Sequence, residues 1–228
     1  MLADRVAYVR SILKQESAPW GREPTLIAVT KYSDPEEILP LAQLGVRDIG
    51  ENRVQAIREK LPILENEFSI HLLGRLQTSK VKYIIKDVCL IHSLDSLSLA
   101  EEIDRQARKA DRRMDVLIQI NIARESQKGG IEEEALFPFL RQCARLPGMR
   151  VRGLMAMMPL DAPEDVILRH FTRMRVLLDQ CRQEAVDGTD MTELSMGMSQ
   201  DYALAARCGA TMVRIGSALF RSTQQEGT

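Results

Sequence analysis

The sequence predicts a single (β/α)8 barrel, a TIM barrel, with an extra helix ahead of the first strand. Two observations carry this. Short apolar runs recur eight times along 228 residues, and most are separated by longer amphipathic segments. That alternation is the mark of a parallel sheet covered by helices. The length suits one barrel, which rarely needs fewer than about 200 residues. An open, doubly wound sheet is the alternative arrangement of the same units.

The runs are LIAVT at 26–30, VRDIG at 46–50, IHLLG at 70–74 and CLIHSL at 89–94. VLIQINI at 116–122, VRGLMAMM at 151–158, ELSMGM at 193–198 and MVRIG at 212–216 follow. PEEILPLAQLG places Ile38, Leu41, Ala42 and Leu44 on one helical face and stops at Gly45, a C-cap. SLSLAEEIDRQARKAD runs from a polar start to a basic last turn, as the helix dipole favours. In IEEEALFPFLRQCARLPG, Pro138 either kinks the helix or limits where it starts. PEDVILRHFTRMRVLLDQCRQEA is the longest helical segment, and residues 1–15 supply the extra helix. Residues 1–228 read as one domain, with a polar, loose tail over about 221–228.

Basic and acidic residues balance, 31 against 32, which gives no electrostatic footprint for nucleic acid or an anionic membrane. No apolar run approaches the roughly 20 residues that cross a bilayer, and the charged N-terminus is unlike a signal peptide. A cytoplasmic protein is expected. Cys89, Cys143, Cys181 and Cys208 are widely spaced in apolar segments and read as buried structural thiols. His71, His92 and His170 form no local metal motif, although the fold could still bring them together.

Barrels of this kind do their chemistry at the C-terminal ends of the strands. The first run ends at Lys31, on the same strand face as Ile27 and Val29. If that face points inward, the amine stands desolvated at the top of an apolar barrel, where it is a better nucleophile toward an aldehyde. The bland reading is a lysine snorkelling into solvent. Tyr32, by alternation, is expected to point away from it. Ser195 to Ser199, and then Arg214 to Ser217, place glycines and hydroxyls after the last two strands, where barrels often bind phosphate. Ser199 could equally be an N-cap for the helix that follows. Gln119 and Asn121 alternate with isoleucines and aim at the barrel axis, most simply as a structural network; Met155, Met157 and Met158 read as barrel filling.

Several segments occur in an order that resembles the pyridoxal phosphate homeostasis family, related to the barrel domain of alanine racemase. They are AVTK at 28–31, GENRVQ at 50–55, HLLGRLQTSK at 71–80, IHSLDS at 91–96, QIN at 119–121, the lysine and glycine of QKGG, GLMAMMP, and LSMGMSQDYALAARCGATMVRIGSALF. The resemblance implies pyridoxal 5′-phosphate (PLP) as cofactor, with Lys31 as its Schiff-base residue. It also implies Asn52 near the cofactor ring, Ser195, Ser199, Gly216 and Ser217 about the phosphate, and Arg214 beside the pyridine nitrogen. Arg53, Arg75, Ser79, Gly129, Ser217 and Arg221 depart from the family's usual residues. An arginine at the ring nitrogen makes a poor electron sink, and a chain that stops with the barrel is expected to lack the second acid–base group racemisation needs. The implied role is non-catalytic or nearly so: a monomer that holds PLP and passes it to amino acids or apo-enzymes, within vitamin B6 and amino-acid homeostasis. A PLP-dependent amino-acid racemase is the alternative. No metal is implied.

Overall fold

The computed structural model describes residues 1–125 and 129–220. Eight parallel strands close into a barrel in chain order. They are β1 (Thr25–Val29), β2 (Asp48–Glu51), β3 (Ser69–Leu72), β4 (Leu90–Leu94), β5 (Met114–Gln119), β6 (Met149–Met155), β7 (Glu193–Ser195) and β8 (Met212–Ile215). Every predicted run overlaps one strand, and the barrel excludes the open sheet. Several runs outlast their strands: β7 keeps only three residues of ELSMGM, and the remainder turns into the loop at the barrel mouth.

Nine α-helices surround the sheet among the described residues: α1 (Leu2–Glu16), α2 (Pro35–Ile38), α3 (Pro40–Gln43), α4 (Val54–Leu64), α5 (Leu97–Lys109), α6 (Leu136–Cys143), α7 (Glu164–Glu184), α8 (Tyr202–Arg207) and α9 (Ser217–Phe220). The predicted extra helix is α1, and it buries Val6, Val9 and Leu13. The helix expected over 35–45 is divided. Pro40 has no N–H to continue the ladder, so α2 ends at Ile38 and α3 begins at Pro40. Both halves still bury the same face, through Ile38, Leu41 and Ala42, and Gly45 closes it at a φ of 74°. Pro138 limits the start of α6, where it occupies the first turn. Between β3 and β4 the connection is a 3-10 segment, Thr78–Tyr83, instead of an α-helix. The expected tail at 221–228 lies outside the described residues.

Strand parity divides the apolar residues into two layers. Leu26, Ala28, Ile70, Ile91, Ile118 and Val213 face the helices within the main core, whereas Leu90, Leu117 and Met155 form a separate cluster, with Met157 and Met212 packed against it. That cluster fills the barrel. Two of the three expected methionines belong to it; Met158 is buried in the main core. The interior is therefore packed, and any ligand must sit at its rim.

Candidate functional site at the barrel mouth

The mouth is built from the ends of three neighbouring strands. Val29 pairs with Gly50, and Ala28 pairs with Ile215, so the residues beyond β1 lie between those beyond β2 and those beyond β8. This register carries Lys31 alongside Asn52 on one side and the Gly216 turn on the other. Val29 Cβ and its carbonyl oxygen lie 3.4 Å from where a Gly216 side chain would begin. The chain beyond β1 is thus brought close to the Gly216 turn beyond β8.

Of the two placements the sequence left open for Lys31, enclosed or reaching into solvent, the structure has the second. β1 stops at Val29, Lys31 and Tyr32 form a turn, and both are exposed. The Lys31 ammonium sits 4.8 Å from the centre of the Tyr32 ring. Strand alternation fails here because the strand has already ended, so Tyr32 turns toward the amine instead of away from it. What holds the turn is the residue before it. Thr30 Oγ1 donates to Glu51 Oε1 at 2.7 Å, and Lys60 Nζ on α4 donates both to that oxygen and to the Thr30 carbonyl, each at 2.7 Å. Asn52 is exposed in the loop after β2, at the edge of a cleft of about 790 Å³ that also includes Arg53, Arg75 and Asp95. Its backbone is fixed by Gly74, where a Cβ would fall 2.2 Å from the Asn52 carbonyl oxygen.

On the opposite rim, Ser199 Oγ accepts from the backbone N–H groups of Gly216 at 3.2 Å and Ala218 at 3.3 Å. The N-cap of α8 is Asp201, so capping is not the role of Ser199. Two amide donors at the start of α9 converge on a hydroxyl oxygen, an arrangement that a phosphoryl oxygen could occupy equally well. Ser217 is exposed on the same turn. Ser195 has different partners. It is fully buried at the end of β7, where its Oγ accepts from Arg214 Nη1 at 2.6 Å and lies 2.9 Å from His92 Nδ1.

Arg214 is the unusual charge of the site. Only 4% exposed, it hydrogen-bonds Ser195 Oγ and, at 2.9 Å, the Ala156 carbonyl, but no carboxylate among the described residues. Burial pulls its pKa down to about 10, against a weaker opposing pull from Asp201. A guanidinium held this way is costly unless something anionic or lone-pair-bearing meets it.

Sequence reasoning missed the histidines. His71 Nδ1 lies 3.0 Å from His92 Nε2, and His71 Nε2 lies 3.0 Å from Asp48 Oδ1. Both rings are buried inside the barrel. The signal was present in the matching segments IHLL and IHSL, which give two adjacent strands a histidine at the inward phase. No group of three or more metal-ligating side chains occurs among the described residues. Gln119 and Asn121 form the expected structural network, fastening the loop after β5. Gln119 Nε2 donates to the Gly129 carbonyl at 2.8 Å, and Asn121 Nδ2 donates to Glu125 O and Glu132 Oε1. Lys128, counted in the QKGG motif, lies outside the described residues. All four cysteines are free, and Cys89 is exposed just before β4, contrary to expectation. Burial pushes the Cys143 and Cys181 thiols up to about 12.

The model of the alanine racemase N-terminal domain family matches residues 10–224. The chain belongs to that family. Within the family, a pyridoxal phosphate homeostasis protein of Aquifex aeolicus is 42% identical over 197 residues, covering 86% of this chain and 85% of its own. PipY of Synechococcus elongatus, solved with PLP bound, superposes with a TM-score of 0.86 at 33% identity, covering 97% of this chain and 100% of PipY. Alanine racemase of Corynebacterium glutamicum has a TM-score of 0.70 at 17% identity. That likeness concerns the fold alone, and this chain spans 62% of the racemase chain.

Proposed function

We propose that this chain is a PLP-binding protein of PLP homeostasis, a carrier and not a catalyst. The observation that carries the reading is the donor set at the mouth: an amine, a buried guanidinium bonded to a hydroxyl and a carbonyl, and two convergent amides, on strands β1, β8 and their loops. These groups fit an aldehyde, a ring nitrogen and a phosphate, in that order. The curated relatives of similar length carry the homeostasis name, and PipY holds PLP on the same barrel.

PLP, when bound, supplies an aldehyde that condenses with amines. Lys31 is the amine we assign to it. The Glu51–Lys60 pair fixes the turn from which that amine extends, and Asn52 lies alongside. Ser199, Gly216 and Ser217 surround the phosphate through backbone N–H and hydroxyl donors. Arg214, cationic at neutral pH, disfavours a proton on a ring nitrogen beside it and so restrains carbanion chemistry. Ser195 orients Arg214 from below. Exposure of Lys31 suits a carrier, since incoming amines reach the aldehyde without displacing a lid. The acceptors we assign are amino acids or PLP-dependent apo-enzymes, and the carrier is a cytoplasmic monomer.

The test is direct. Borohydride reduction of the purified, PLP-loaded protein is expected to add the cofactor mass to the peptide containing Lys31, and Lys31→Ala is expected to lose it. Label on any other lysine, with Lys31 unmodified, overturns the assignment.

A further inference from the structure

A continuous line of hydrogen bonds crosses the barrel interior from its base to its mouth. Asp48 Oδ1, His71, His92, Ser195 Oγ and Arg214 Nη1 are joined by contacts of 3.0, 3.0, 2.9 and 2.6 Å. The three middle members are at most 3% exposed, whereas the Asp48 side chain at the base is 31% exposed. Nothing in the proposed carrier role uses the two imidazoles.

The chemistry of the donors allows this line two states. Arg214 can only donate, so Ser195 Oγ always accepts from it, and the Asp48 carboxylate only accepts, so His71 Nε2 carries a proton throughout. When His71 is also protonated at Nδ1, it donates to His92 Nε2. His92 then carries its own proton on Nδ1 and gives it to Ser195 Oγ. The Ser195 hydroxyl proton is left free of the chain. When His71 releases one proton to solvent, its Nδ1 becomes an acceptor. His92 now carries its proton on Nε2, and its bare Nδ1 accepts a hydrogen bond from the Ser195 hydroxyl. The first state has three N–H bonds and one O–H bond across the two imidazoles and the serine. The second has two N–H bonds and one O–H bond, the difference being the proton released.

We infer that His71 and His92 are positioning residues for the ligand site, which decide whether Ser195 offers its hydroxyl proton beside Arg214 or spends it on His92. The inference deepens the PLP reading and rests on it for the identity of the ligand. The surroundings make the switch reachable. Burial opposes charge on His71, but hydrogen bonding to Asp48 and Cys89, and their negative potential, outweigh it and raise His71 to about 9. His92 is held well below its ordinary value by burial, by His71 and by Arg214. Asp201 also acts on the line, through Arg214.

Nitrogen-15 NMR of the histidine side chains in the ligand-free full-length protein reads the switch. The proton of His92 is expected on Nδ1 while His71 is cationic and on Nε2 once His71 is neutral. A His92 tautomer that stays fixed while His71 titrates overturns the relay. PLP affinity measured across the same pH range then tests its consequence. The ratio of wild-type to His71→Gln affinity is expected to change about tenfold, the worth of one charge-assisted hydrogen bond. Ser195→Ala, which keeps the imidazoles, is expected to abolish the same pH-dependent component. If the tautomer moves but the three affinity curves run parallel, the positioning role is overturned. If none of the proteins retains PLP, the cofactor reading falls, and the tautomer measurement alone decides the relay.

Discussion

In the proposed reading, Arg214 is a residue kept for something other than stability. Among the described residues its buried guanidinium has two hydrogen bonds and no counter-charge in contact, so the folded protein carries much of its desolvation cost uncompensated. Arg214→Met fills a similar volume, removes that cost, and leaves the Ala156 carbonyl without a partner, a loss of roughly 1–3 kcal/mol. The two effects oppose each other. Net stability in thermal denaturation is therefore expected to change by less than about 2 kcal/mol, while PLP retention in equilibrium dialysis falls at least about tenfold. A variant that unfolds readily yet still binds PLP as tightly would mark Arg214 as structural. Lys31 presents the reverse case. No tertiary hydrogen bond or ion pair of its side chain occurs among the described residues, so its replacement is expected to leave folding untouched.

At the scale of elements, the mouth depends on a pin between β1, β2 and α4. Glu51 is 1% exposed and holds Thr30 and Lys60 through one carboxylate oxygen, while its second oxygen has no hydrogen-bond partner among the described residues. Removing the cation by Lys60→Met strands a buried carboxylate and is expected to cost about 3–5 kcal/mol in urea denaturation. The double variant Glu51→Leu, Lys60→Met is expected to recover most of that loss. If the single and double variants are equally unstable, the pin is ordinary packing. The sequence shows only part of such an element. GENRVQ was visible as a motif, and Thr30 as the end of a strand, but the lysine that joins them is nine residues beyond Glu51 on a helix whose existence the apolar runs did not announce. Strand ends were misjudged for a related reason: AVTK and ELSMGM continue in apolar or β-prone residues after the ladder has ended. Lys31 and Tyr32 therefore follow turn geometry, and the inference from alternation failed at the residue where it mattered most.

Across the whole molecule, strand number, barrel closure and the placement of Lys31, Asn52, Ser199 and Gly216 at one end were legible, because parallel strands in chain order bring every strand end to a common rim. The barrel interior was less so, since it unites residues from β2, β3, β4, β7 and β8 of which only the two histidines share a visible pattern. The buried histidines give that interior a measurable effect on stability. In the unfolded chain both titrate near 6.5. Folded His71 is raised to about 9, so between 6.5 and 9 the native state holds a proton the unfolded chain lacks, and stability falls as pH rises through that window. Folded His92 is held well below 6.5, so at lower pH the unfolded chain takes a proton the native state refuses, and stability falls again as pH drops. The pair therefore contributes a maximum near pH 6.5. His71→Gln is expected to remove the alkaline limb of this contribution, and His92→Gln the acid limb, each read as the difference from wild type in denaturant midpoint across pH. A difference curve for His71→Gln that is flat from pH 6.5 to 9 would show that His71 is neutral in the native barrel, and the interior line of hydrogen bonds would then have only one polarity.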